Sequence, residues 1–225
     1  MGTTLGRTAV AGIRLSAERA AVGTVISPSD TSRTVSFWSV TGRILRDTFD
    51  RSAFPTRGLS LLLSSEWADR SMGSGATFRL HVGRVEQLLP LTERTTLRVG
   101  IMAGYGEGDD LPLHRLFFLG GVYPSAVLGE TQPAFPGLKP QERMGRAVQV
   151  ATLAVQRRLG AQVFVTAGLH AGNTFDTWRM APRDYLKGWS LALGALTPLG
   201  PVETTLAGRE GGGAPSVSVN LGFSF

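Results

Sequence analysis

The chain has 225 residues with 29 Gly, 12 Pro and 42% hydrophobic residues, a composition that excludes a disordered polyelectrolyte; it has no Cys, which excludes a disulfide framework or a thiolate metal site. Its net charge of +6 comes from 23 Lys and Arg, overwhelmingly Arg and scattered singly, so no basic run marks a nucleic-acid partner, and single Arg residues suit a polar lumen or an anionic headgroup layer instead. No stretch approaches the roughly 18 consecutive apolar residues of a membrane-spanning helix, so any crossing of a membrane must be made by strands.

Period-two alternation runs from end to end. It predicts eleven strands, near 5–15, 18–26, 33–46, 58–67, 76–86, 94–105, 146–157, 163–173, 188–197, 201–209 and 215–225. The start, "MGTTLGRTAVAGIRLSAERA", has no basic segment followed by an apolar one, so no signal peptide is read there. In "TFRLHV", Phe78, Leu80 and Val82 oppose Thr77, Arg79 and His81, and the apolar set is expected to face lipid. In "RTTLRVGIMAGY", Leu97, Val99, Ile101, Ala103 and Tyr105 oppose Thr96, Arg98, Gly100, Met102 and Gly104. "VFVTAGLHAG" sets Val163, Val165, Ala167 and Leu169 against Phe164, Thr166, Gly168 and His170. The chain closes on "VSVNLGFSF", with Val217, Val219, Leu221, Phe223 and Phe225 on one parity.

The connections alternate in length. "RRLGAQ" and "TPLGP" are compact, whereas "TFDTWRMAPRDYLK" and residues 106–145 are long, an asymmetry characteristic of outer-membrane barrels. Trp38, Trp67, Trp178, Trp189, Tyr105 and Tyr185 lie near predicted strand ends, as an interfacial girdle requires. A soluble β-domain would place bulky residues on its inner parity; here that face is mostly Gly, Ser, Thr and Arg.

Five stretches carry more specific information. "DRSAFPTRGLSLLL" has an Asp and then Phe54-Pro55-Thr-x-Gly58 opening a strand, and "GYGEGDDLPLHRLFFLGG" runs from a Gly-Tyr-Gly loop to Gly120-Gly121. "HAGNTFDT", "TPLGPVETTLA" and "VNLGFSF" follow in order. From about Asp50 to Phe225 the chain resembles the C-terminal membrane domain of BamA-like outer-membrane assembly and secretion barrels, a superfamily that also supplies the barrel of certain patatin-like phospholipases. The resemblance implies an all-β antiparallel transmembrane barrel, of which these are the last eleven of sixteen strands. It implies a chain without the first five strands, periplasmic domains or signal peptide, whether as a truncated product, a start misplaced at Met1 or an oligomer that shares strands.

By the same resemblance the terminal stripe Val217–Phe225 is the barrel seam and assembly signal, and the long loop controls the lumen. In that family the loop carries Val-Arg-Gly-aromatic, whose Arg pairs with an Asp two residues before a Gly on the inner wall. The aligned "SAVLGET" has Leu128 before Gly129, and "LHAG" has His170 before Gly172, so both members of the pair are replaced together. The implied partners are outer-membrane lipid, including the lipopolysaccharide leaflet, together with unfolded polypeptides or assembly lipoproteins.

No Gly-x-Ser-x-Gly nucleophile elbow occurs, and "GYGEG" is followed neither by a helical pattern nor by the Lys of a phosphate-binding loop. His81, His114 and His170 have no second ligand at metal spacing, and His170 with Asn173 and a lumenal Ser is a remote imitation of a hydrolase set. The expectation is a non-enzymatic barrel domain without cofactor, acting in protein insertion or translocation across the outer membrane. The alternatives are the membrane anchor of a patatin-like phospholipase whose catalytic domain lies outside this chain, or a soluble β-domain.

Overall fold

The computed structural model describes residues 2–4, 8–22, 33–123 and 129–222. Its strands are β1 (Gly2–Thr4), β2 (Ala9–Val22), β3 (Arg33–Asp47), β4 (Gly58–Ala68), β5 (Phe78–Pro90), β6 (Thr95–Glu107), β7 (Phe117–Leu119), β8 (Arg143–Gly145), β9 (Ala147–Arg158), β10 (Val163–Phe175), β11 (Leu186–Thr197), β12 (Gly200–Arg209) and β13 (Ser216–Leu221). Among the described residues eleven of these form one antiparallel sheet, in the order β1-β2-β3-β4-β5-β6-β9-β10-β11-β12-β13. The remaining two, β7 and β8, pair with each other inside the connection from β6 to β9. The fold is all-β, as the alternation predicts.

Two rows of side chains show why the sheet has two different faces. Leu97, Val155, Ala167, Leu191, Leu206 and Val217 are register partners in succession from β6 to β13, and they form one apolar row on the outer face. One residue along, Thr96, Gln156, Thr166, Ala192, Thr205 and Ser218 form the matching row on the inner face. The outer row and its neighbours are open to the surroundings: Leu169 is 64% exposed, Leu193 55% and Val219 62%. A stripe of exposed Leu and Val this wide needs an apolar solvent, and most of the strands are long enough to cross one.

The sheet is curled. In a flat sheet the five steps from β4 to β11 would separate those strands by roughly 24 Å. Phe54, only four residues before the start of β4, nevertheless packs against Gly194 of β11. Four residues span at most roughly 14 Å, too little to cross the flat sheet even with the length of the ring added.

Two expectations are revised, and a third reaches beyond the described residues. The break placed between 15 and 18 is absent: β2 runs unbroken from Ala9 to Val22 in continuous register with β3, because Ser16 and Ala17 keep the alternation and no Gly or Pro stands between Leu15 and Glu18. The eleventh strand is the short β1 instead. In the upper part of β5 the faces are reversed, with Phe78, Leu80 and Val82 inward and 1–6% exposed, while Arg79 and His81 point outward. That inward apolar set is the bed of the long loop. Finally, β13 is described as far as Leu221, followed by Gly222, and Phe223 and Phe225 lie outside the described residues.

Candidate functional site: the inner face and the two segments that fill it

Two connections fold onto the inner face from opposite ends. At the short-turn end, residues 48–57 join β3 to β4. Asp50 organises this turn by accepting hydrogen bonds from the Thr56 amide at 2.8 Å, the Thr56 hydroxyl at 2.7 Å and the Arg57 amide at 3.3 Å. Partial burial would raise the Asp50 pKa, but these donors outweigh it and hold the carboxyl below its ordinary value. The turn is then pinned from the wall: Gln156 Nε2 donates to the Pro55 carbonyl at 3.1 Å, and Thr96 Oγ1 donates to the Thr56 carbonyl at 3.1 Å.

The Phe-Pro-Thr-x-Gly stretch thereby acquires a structural meaning. Phe54, with φ of 48°, stacks on Phe164 of β10. A Cβ on Gly194 would lie 2.3 Å from the Phe54 ring, so that position is open only to glycine. Pro55 is buried beneath, and Gly58 has φ of +120°, with Thr48 O only 2.3 Å from where its Cβ would be.

At the opposite end, the connection from β6 to β9 lies across the sheet. Phe117, Leu119, Phe135 and Leu138 pack on inward Leu80, Val82, Met102, Val148 and Val150 in one buried cluster. Gly104 gives the room, since a Cβ there would meet Phe117 Cζ at 2.3 Å. Gly120 and Gly121 have φ of +140° and +83° and reverse the segment after β7, with the Gly121 amide bonded to the Leu138 carbonyl at 3.0 Å and Gly121 bridged to Phe135. Gly129 opens a short 3-10 turn to Thr131, and Leu128 lies outside the described residues.

His170 and Gly172 sit on the inner face of β10. His170 Nε2 is 2.9 Å from Ser190 Oγ, Nδ1 is 3.2 Å from Thr152 Oγ1, and the Phe135 ring lies 6.2 Å away. Asn173 has the opposite parity and donates to the Asp184 carbonyl, so the structure brings a serine to His170 but not the asparagine. Val217, Val219 and Leu221 line the outer face of β13, on the opposite side of the sheet from both inner segments.

Several inner-face groups escape a reading of motifs. Arg115 Nη2 in the loop donates to Glu18 Oε1 of β2 at 2.6 Å and to Glu66 Oε1 of β4 at 3.0 Å. Burial would lower the Arg115 pKa, but Glu66 and Glu18 outweigh that and raise it. Tyr123 donates to Glu203 Oε1 of β12 at 2.9 Å, and burial, with the Glu203 carboxylate beside it, pushes its pKa up to about 12. The available signal was parity: Glu18, Glu66 and Glu203 are carboxylates at inward positions of strands. Of the six aromatic residues expected in a girdle, Trp67, Trp178 and Trp189 lie at the long-loop end and are 37–47% exposed, Tyr105 meets Trp178 edge-on, and Tyr185 donates to Gln149 Oε1.

Residues 7–225 match the Omp85 superfamily domain. No curated protein matches the sequence significantly. Among solved structures, the crystal structure of BamA from Haemophilus ducreyi lacking POTRA domains 1-3 is similar in fold, with a TM-score of 0.71 and 14% identity over 96% of this chain. The chain spans 51% of the length of that BamA chain.

Proposed function

The chain belongs to the Omp85 superfamily, and from that premise we propose that it is barrel-domain material of an outer-membrane protein that inserts or translocates polypeptides. One observation carries this reading: a curled sheet, apolar outside, holds a long loop folded against its inner face, so the loop stands where a passing chain would go. Membrane lipid is then the partner of the outer rows, and unfolded polypeptides or assembly lipoproteins are partners of the inner face and the β13 edge. In this reading the strands are the C-terminal part of a sixteen-stranded barrel, with Val217, Val219, Leu221, Phe223 and Phe225 at the seam.

The test is insertion of a client. The chain is refolded into vesicles of outer-membrane lipid, and folding is checked by a heat-modifiable gel band. An unfolded barrel protein is then added and its protease protection followed. Protection faster than in empty vesicles supports the proposal, and an unchanged rate beside correctly folded chain overturns it.

A second reading, the membrane anchor of a patatin-like phospholipase, draws on Leu128 and His170, which replace the pair usual in the family. An upstream reading frame with Gly-x-Ser-x-Gly would favour it, whereas repeated small periplasmic domains would favour the first.

A further inference from the structure

The outer face carries a groove. Two neighbouring rows of register partners across β2 to β6, one from Ile13 to Tyr105 and the next from Ala11 to Ala103, bound a cavity of about 1110 Å³ on the side of the exposed apolar stripe. That is the upper end of the scale of ligand clefts, roughly 300–1,000 Å³. Five adjacent strands are four steps of about 4.8 Å, so the groove runs about 19 Å, more than the roughly 15 Å depth of one leaflet's hydrocarbon.

Its floor contains glycines that the protein's own packing does not require. A Cβ on Gly42 would come no nearer than 4.0 Å, to Trp67, and one on Gly83 no nearer than 3.6 Å, to Leu63. Both are ordinary contact distances, and neither glycine has a positive φ. Gly104 and Gly194 on the inner face differ, because Phe117 and Phe54 occupy the space they leave. Among the described residues nothing fills the space over Gly42 and Gly83.

One end of the groove is walled by a connection folded over the outside of the sheet. Gln149, outward on β9 in register with Ala103 and 5% exposed, donates through Nε2 to the Arg179 carbonyl at 3.0 Å and accepts from Tyr185. Asn173, outward on β10, donates to the Asp184 carbonyl at 2.8 Å. These bonds draw residues 176–185 down over β9 and β10, and they set Trp178 beside Tyr105 with ring centroids 6.2 Å apart.

The polar groups lie toward the long-loop end. Ser65 Oγ and His81 Nδ1 are 2.6 Å apart, which leaves His81 Nε2 without a hydrogen-bond partner among the described residues. An imidazole on a lipid-facing strand is costly unless it meets a polar group. One register pair further along, Arg79 and Glu107 stand opposite each other, 3.4 Å apart and 60% and 43% exposed. A single cation beside a single anion complements a headgroup that carries both charges.

We propose that this groove holds one acyl chain of a zwitterionic diacylglycerophospholipid. Gly42, Gly83 and Trp178 shape the slot, His81 Nε2 donates to the ester carbonyl at the head of the chain, and Arg79 and Glu107 meet the phosphate and the ammonium. The site rests on the reading that the outer face meets lipid, and it is independent of any role in moving polypeptides.

The chain is refolded into vesicles of phosphatidylethanolamine and phosphatidylglycerol in equal amounts with matched acyl chains, and folding is checked by the heat-modifiable band. After extraction in mild detergent, native mass spectrometry reads the lipid that stays bound. One phosphatidylethanolamine per chain should be retained in preference to phosphatidylglycerol. Gly83→Leu should lower that retention about tenfold. Ala167→Leu, an enlargement on the outer row of β10 away from the groove, should leave it unchanged, and Glu107→Gln should remove the preference between the two headgroups. Folded Gly83→Leu protein that retains phosphatidylethanolamine as the unmodified chain does overturns the site; if that variant fails to fold, Gly42→Leu decides by the same criterion. Equal retention of both lipids, or displacement of phosphatidylethanolamine by equimolar lipopolysaccharide, also overturns it. A heat-modifiable chain that holds no lipid overturns the site and leaves the membrane reading standing, whereas a chain that never enters the vesicles overturns both.

Discussion

Phe54 lies flat on Phe164, with ring centroids 4.7 Å apart and planes 15° from parallel, and this stack seats the turn between β3 and β4 on a strand more than a hundred residues later. The guanidinium of Arg51 completes the site 5.7 Å from the centre of the Phe164 ring. The β3–β4 turn is therefore held on the inner face by aromatic contact and by backbone carbonyls bonded to Gln156 and Thr96.

Phe54→Ala removes the stack and leaves Gly194 facing a void. Because Phe54 is half-buried, the expected loss is about 1–3 kcal/mol, below that for a fully enclosed ring. Urea unfolding in vesicles measures it, and an unchanged midpoint would mean that the turn is held by its hydrogen bonds alone.

Asp50 should make the same turn sensitive to acid. Its folded pKa lies below the unfolded value near 3.8, so the stabilisation is complete above that value and is lost as pH falls through the folded one. Asp50→Asn should therefore cost roughly 1–2 kcal/mol at pH 7 and progressively less below about pH 3.8. Parallel unfolding curves at pH 7 and pH 3 for both proteins provide the check; a penalty that does not shrink with acid would contradict the assignment.

The two faces can be told apart by one substitution on each. Leu191→Arg, in the centre of the outer apolar row, should cost about 2–4 kcal/mol in a bilayer, whereas Ser218→Arg on the inner face of β13 should cost little. Thr96, which parity alone suggests as a tolerant lumen position, is not one: it is 3% exposed and bonded to the turn. Equal losses at 191 and 218 would reject the orientation of the sheet.

Gly104→Ala tests the seat of the long loop. Its Cβ would overlap the Phe117 ring, and overpacking of this kind costs about 1–3 kcal/mol. Faster proteolysis within 108–146, with the sheet intact by circular dichroism, is the expected signature. Resistance equal to that of the unmodified protein would place Phe117 elsewhere.

Alternation along the chain was sufficient to identify an all-β protein, to place β6 and β9 to β12 within two residues or so of their observed ends, and to assign the two faces of β6 and β10. Local patterns can do this because each strand declares its own apolar parity. The Asp-then-Phe-Pro-Thr-x-Gly stretch was equally legible, since Asp50 and Thr56 are close enough along the chain for a turn to join them.

The face of upper β5, by contrast, was decided by tertiary structure. Phe78, Leu80 and Val82 alternate just as a lipid-facing strand does, and they turn inward only because a loop from elsewhere in the chain supplies Leu111, Phe117 and Leu119 to cover them. The partners of Arg115 were likewise hidden: Glu18 lies 97 residues away and Glu66 lies 49 away, distances at which no spacing rule operates. Sequence determined which side of each strand is apolar; the path of the loop determined whether that side meets lipid or protein, because burial depends on what arrives to cover a surface as well as on the surface itself.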